Sequence, residues 1–181
     1  MANAISFYSI AKGYLQAAYL MMSNTTRFTE LPDDRPVILA FHMQCGFAAE
    51  LYLKSYLLSK GHTEAELRRA PVRHDLKALL GLVHNTGIES RDAEYLVDLL
   101  HDGHKSFAYR YMDENNSYVL SPPKRMFRAF STLDYLVNVS VGASASKGLE
   151  ASRSEWNLPD PLGYWRLPIH PGIQIVETTH R

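Results

Sequence analysis

One cysteine, Cys45, in a chain of 181 residues excludes an internal disulfide. Its place in an apolar helical stretch predicts a buried, reduced thiol in a cytoplasmic protein. Net charge is missing as well: Lys+Arg and Asp+Glu both number 19, so duplex binding driven by counterion release has no support at the level of the whole chain. No apolar run approaches the roughly 20 residues that a membrane-spanning helix needs. The N-terminus lacks the charged and unbroken apolar regions of a signal peptide. A P-loop, a dinucleotide glycine fingerprint and a Gly-x-Ser-x-Gly elbow are all absent, which removes the common nucleotide-dependent enzymes and serine hydrolases. No cofactor is expected.

What remains is an ordinary globular composition, 46% hydrophobic and 21% charged, enough to bury a real core. The length suits one domain with an appendage. Ile5, Tyr8, Ala11, Leu15, Ala18 and Met22 recur at helical spacing and predict a first helix over 2–23. Pro36 opens a second helix, apolar on most faces, that runs to about 60 and stops at Gly61. Thr63 and Glu66 form a capping-box pattern for a short helix ended by Pro71. Two further helices are predicted, one over 74–86 and one capped by Ser90, the latter with Tyr95, Leu96, Leu99, Leu100 and Phe107 facing inward. Residues 113–120 read as a loop. Ser121-Pro122-Pro123 then opens a last core helix carrying Met126, Phe130, Leu133, Val137 and Val141.

After Gly142 the character changes. Residues 143–148 resemble a flexible connection. Four of the nine prolines and both tryptophans, Trp156 and Trp165, follow it. The expected organisation is therefore a helical bundle over 1–142 and an extended arm over 143–181, with a possible strand at 173–176. The arm is expected to pack on the bundle or on a partner subunit.

The informative residues are polar ones set where a helical core should be apolar. Glu50 and Lys54 lie one turn apart on the second helix, with the acid nearer the N-terminus, the favourable order for an ion pair. His74 and Asp75 follow at a helix start, and Tyr109-Arg110-Tyr111 lies further on. Unpaired charge in a core is costly, so such groups pair with one another or line a site. Three readings stay open: an internal network fixing helix register, a ligand pocket, or unrelated surface positions.

Ala48-Ala49-Glu50-Leu51-Tyr52-Leu53-Lys54 with Gly61, His74-Asp75-Leu76-Lys77-Ala78-Leu79-Leu80, and Arg110-Tyr111 together resemble a HEPN domain over residues 5–142. The resemblance implies an all-α, HEPN-like bundle of five or six helices, acting as a homodimer. It also implies a nucleotide- or RNA-binding, defence- or toxin-associated module, non-catalytic, with an antitoxin or a nucleotidyltransferase as possible partner. The binding or network residues would be Glu50, Lys54, His74, Asp75, Arg110 and Tyr111.

Many HEPN proteins are metal-independent ribonucleases with an Arg-x4–6-His motif near the final helices. The chemistry uses a cation on the phosphorane and a histidine to move protons. Here Arg69-x4-His74, Arg68-x5-His74 and Arg35-x6-His42 match, yet all lie early, and Arg110 has no histidine at that spacing after it. Arg69 and His74 are the catalytic candidates for the alternative, an endoribonuclease toxin. A third alternative is a structural subunit of a partner complex.

Two basic groups, Arg68/Arg69/Arg73/Lys77 and Lys124/Arg125/Arg128, could meet RNA phosphates or simply be solvated. Tyr109 and Tyr111 suit base stacking or bundle packing. Asp98, His101 and His104 share a helix face at metal-ligand spacing, but exposed helix positions are the plainer reading, and no metal site is assigned.

Overall fold

The computed structural model describes residues 3–24, 35–110, 118–158 and 173–175. Among these residues six α-helices follow in order: α1 (Ala4–Ser23), α2 (Arg35–Ser59), α3 (Glu64–Leu67), α4 (Leu76–His84), α5 (Arg91–Lys105) and α6 (Pro123–Val141). The expected all-α bundle is thus the observed architecture. Central to it is α2, which contacts α1, α4, α5 and α6. This explains why the helix is apolar nearly all round: Ile38, Phe41, Cys45, Ala49, Tyr52, Leu53 and Leu57 are all buried.

Local sequence sets the helix ends. The Asn3 side chain accepts from the Ser6 N–H at 2.8 Å to cap α1. Thr63 and Glu66 form the reciprocal capping box of α3. Ser90 caps α5, and Gly142 closes α6 in the left-handed conformation at φ 69°. The helix expected from residue 74 begins at Leu76 instead. The Asp75 carboxylate takes the Ala78 N–H at 2.9 Å and so stands outside the helix as its cap.

Three further expectations are corrected. Phe107 does not continue α5; it follows the Ser106 cap at φ 59°. That is a left-handed position which a bulky side chain occupies only at a cost. The expected loop over 113–120 ends in a strand, β1 (Tyr118–Leu120), which pairs in parallel with β2 (Ile173–Ile175). Finally, 143–148, expected as a connection without structure, forms a hydrogen-bonded turn against α6. Asn138 holds Ser144 through two hydrogen bonds of 2.9 Å, Ala143 is buried, and Ala145–Lys147 form a 3-10 turn.

Residues 149–158 lie against the bundle. Trp156 packs on Tyr19 and Phe127 at ring-centroid distances of 5.2 Å each. The Ser131 hydroxyl donates to the Ser154 carbonyl at 2.6 Å, and the Tyr19 hydroxyl to that of Asn157 at 2.8 Å. Trp165 and Val176 fall outside the described residues. No helix among the described residues is long and apolar enough to cross a membrane.

Candidate functional site

Glu50 sits on the inner side of α2 with 5% exposure. Three cationic or N–H-bearing groups converge on its carboxylate. Lys54, one turn on, donates to Oε1 at 2.6 Å. His104 Nε2 of α5 lies 2.6 Å from Oε2, and His74 Nδ1 lies 3.1 Å from the same oxygen. An ionised carboxylate only accepts, so the hydrogens lie on His104 Nε2 and His74 Nδ1. Burial alone would raise the Glu50 pKa, but the bonds from His104, Lys54 and His74 outweigh it and hold it at about 2. Lys54 also donates to the Arg73 carbonyl at 2.6 Å, which fastens the chain before α4 to α2.

The predicted network is therefore only partly assembled as expected. Glu50, Lys54 and His74 meet. Asp75 belongs to a neighbouring cluster: it accepts from Lys105 at 2.7 Å and lies 3.6 Å from His101 Nδ1. Burial opposes the Asp75 charge, yet Lys105 and the Ala78 N–H keep its pKa below the usual carboxylate range. Arg110 does not reach Glu50. Its guanidinium is exposed and lies 4.3 Å from the centre of the Phe107 ring and 5.4 Å from that of Phe47. Tyr111 lies outside the described residues.

His104 is the member that sequence reading missed. It stands four residues after Leu100 and eight after Leu96, on the buried face of α5, so its inward direction was readable. Asp98, His101 and His104 do not share one site: Asp98 is exposed, whereas His101 and His104 are buried and turn to different acids. The space for the His104 ring comes from Gly46, one turn before Glu50. A Cβ there would stand 2.7 Å from His104 Nδ1. The Phe47 ring abuts His104 edge-on at 5.2 Å.

The Arg-to-His spacings resolve differently. His42 is fully buried. Its Nδ1 pairs with the Ile38 carbonyl at 2.8 Å, and its Nε2 accepts the Ser121 N–H at 3.2 Å. Burial lowers its pKa to about 4, which keeps it neutral. It is a core histidine. Arg69 is exposed on the turn after α3, and among the described residues no hydrogen bond joins it to His74. Arg68 is paired with Glu64. Near Arg128 the surface is mixed in sign, because one groove carries Arg91, Arg128 and Arg153 alongside Asp92, Glu94 and Asp98. Tyr109 is buried and serves packing, its hydroxyl directed at the Leu99 and Val119 carbonyls. Cys45 is buried and free, and burial pushes its thiol pKa up.

The outward edge of the cluster is a small platform. The His74 side chain is 34% exposed, and its ring meets that of Phe107 at 5.8 Å. Arg110 covers the other part of Phe107. The hollow behind them, lined by Met43, Phe47, His104 and Arg110 among others, has a volume of about 10 Å³, room for no more than one water. Chemically, the edge offers one imidazole held by a buried carboxylate, an aromatic face and an exposed guanidinium. The three ligand-capable atoms of Glu50, His74 and His104 lie within 4.8 Å of one another.

Comparison with protein-family models, with curated proteins and with solved structures finds no match for this chain.

Proposed function

We propose that this chain is a HEPN-like RNA-binding module, defence- or toxin-associated, that holds RNA on its surface without cutting it. The observation that carries this reading is the exposed edge His74–Phe107–Arg110. A planar guanidinium suits phosphate, and an aromatic face beside it suits an unstacked base. The hollow behind is too small to enclose a nucleotide, which favours a strand laid across the surface over an engulfed mononucleotide. The strained left-handed conformation of Phe107 adds support, since such cost is most often retained where a side chain must be aimed. In keeping with the resemblance, the module would act as a homodimer, for which exposed Ile10 and Leu20 of α1 offer apolar surface. An antitoxin or a nucleotidyltransferase would be its partner.

One observation favours the endoribonuclease alternative: His74 is oriented by a buried carboxylate through Nδ1, as a proton-transfer histidine often is. Against it, His104 is buried on Glu50, and Arg69 has no hydrogen bond to His74. Titration of labelled single-stranded RNA separates the readings. Arg110→Ala is expected to weaken binding about tenfold, with RNA left intact after long incubation. Cleavage lost in His74→Ala would establish the nuclease. Binding unchanged in Arg110→Ala and Phe107→Ala, with no cleavage, would leave the structural-subunit alternative.

A further inference from the structure

We propose that Glu50, His74 and His104 form a site for one divalent transition-metal ion of the zinc class. It goes beyond the RNA-binding reading, which needs no metal. The three donor atoms are Glu50 Oε2, His74 Nδ1 and His104 Nε2, all within 4.8 Å of one another. Two of the separations, 2.6 and 3.1 Å, are set by hydrogen bonds. A tetrahedral ion with bonds of about 2.0–2.2 Å needs its ligand atoms about 3.3 Å apart. The 2.6 Å pair would therefore open by about 0.7 Å and the two imidazole nitrogens, within 4.8 Å of each other, would close, shifts of about 1 Å that turn a hydrogen-bonded triad into a coordinated one.

The donor set points to the class of ion. Two imidazoles and one carboxylate suit zinc and its first-row neighbours, whereas calcium and magnesium take sets made of oxygen. The ligands come from α2, from the turn before α4 and from α5, so an ion would tie three parts of the bundle at one point. Two ligands are buried and His74 is half-buried. Entry is thus from the His74 side, where a fourth position would stay open to water or an anion. The surrounding shell is in place. Lys54 holds Oε1 at 2.6 Å and leaves Oε2 facing the imidazoles, and Gly46 lets the His104 ring lie against α2.

Binding replaces the two bridging hydrogens. In neutral imidazoles they pass to His74 Nε2 and His104 Nδ1, and an imidazolium releases its proton to solvent. The Lys54 ammonium, next to the same carboxylate, repels a dication. The site is therefore weaker with Lys54 than without it, and this gives the proposal a signature that adventitious histidine binding lacks.

The test uses the full, untagged chain, stripped with chelator and titrated with zinc or cobalt(II) alone. One equivalent is expected to bind, to raise Tm, and to give the visible absorption of tetrahedral cobalt. His74→Gln, at a half-buried position, should weaken binding at least about tenfold while the helical circular dichroism is kept, and Lys54→Met should tighten it. No saturable binding at one equivalent would overturn the site. Unchanged affinity in His74→Gln would do the same, because the ion would then be held elsewhere. Neither result bears on RNA binding, which is measured without metal.

Discussion

Glu50 and Asp134 are both acids buried in the bundle, and both carboxylates are well supplied with donors, but the donors differ in kind. Asp134, fully buried on α6, accepts from the Tyr52 hydroxyl at 2.9 Å, from Ser154 at 2.8 Å and from Lys12 at 3.1 Å. Burial, with the Asp134 charge added, raises the pKa of Tyr8 and Tyr52 far above the ordinary phenol range, so these groups remain neutral. The donors to Asp134 are two hydroxyls and an ammonium, and no imidazole is among them. Glu50 is met by two imidazoles and an ammonium, and one imidazole reaches the surface. The requirement that buried charge be paired is met in both places. The choice of partner makes one cluster a fastening for α1, α2, α6 and the segment after α6, and gives the other two imidazoles, one of them half-exposed.

The comparison can be broken most forcefully at Asp134. Asp134→Ala leaves a buried tyrosine hydroxyl and a lysine without their acceptor and is expected to cost about 4 kcal/mol in denaturant unfolding. Tyr52→Phe, which removes one donor alone, should cost about 1 kcal/mol. Equal losses in the two variants would show that the acid is not the centre of its cluster.

At the other acid, Glu50→Gln strands the buried Lys54 cation and should cost about 3 kcal/mol. Adding Lys54→Met removes that cation, and the double variant should return to within about 1 kcal/mol of the parent. A double variant as unstable as the single one would mean that the two histidines, and not the lysine, need the carboxylate.

Acid sharpens the comparison from a third place. His42 has a folded pKa of about 4 against an ordinary 6.5. The unfolded chain therefore takes up a proton that the native chain refuses. Its contribution to stability is complete above the ordinary value and shrinks as pH falls through that window, by about 2 kcal/mol at about pH 5. Glu50, held at about 2 against 4.5, adds a loss of the same sign only as pH falls below its ordinary value. Unfolding measured across this range should lose most of its upper slope in His42→Gln, the remainder coming from His101, whose pKa burial also lowers, and should retain the lower slope. An upper slope that persists undiminished in the variant would assign it to another group.

The smallest expected effect on stability is at the platform. Arg110→Ala removes an exposed guanidinium with no carboxylate partner among the described residues, and should change stability by less than about 0.5 kcal/mol. A larger loss would mean that its stacking on Phe107 holds the α5 end in place.

Much of the bundle was legible because its signals are local. Thr63 with Glu66, Ser90, Gly61 and Gly142 each act within a few residues, and the Glu50–Lys54 pair is one helical turn. What crosses between helices was less so. Asp134 lies four residues after Phe130 and three before Val137, on the inner stripe of α6. Its meaning depends on Lys12, Tyr52 and Ser154, which no spacing brings together. Arg110 was misplaced because α5 ends at Lys105 and Phe107 turns the chain in the left-handed sense. The three-residue β1 is too short to show a period, whereas β2 falls within the strand expected at 173–176.

Gly46 carries a consequence for descent. Any side chain at this position would push the His104 ring from its place against α2, so the two positions constrain each other although they lie on different helices. A relative with alanine at the first is expected to have given up histidine at the second, whatever else of the bundle it keeps. Glycine one turn before the acid of α2 is thus what this packing of the His104 ring requires.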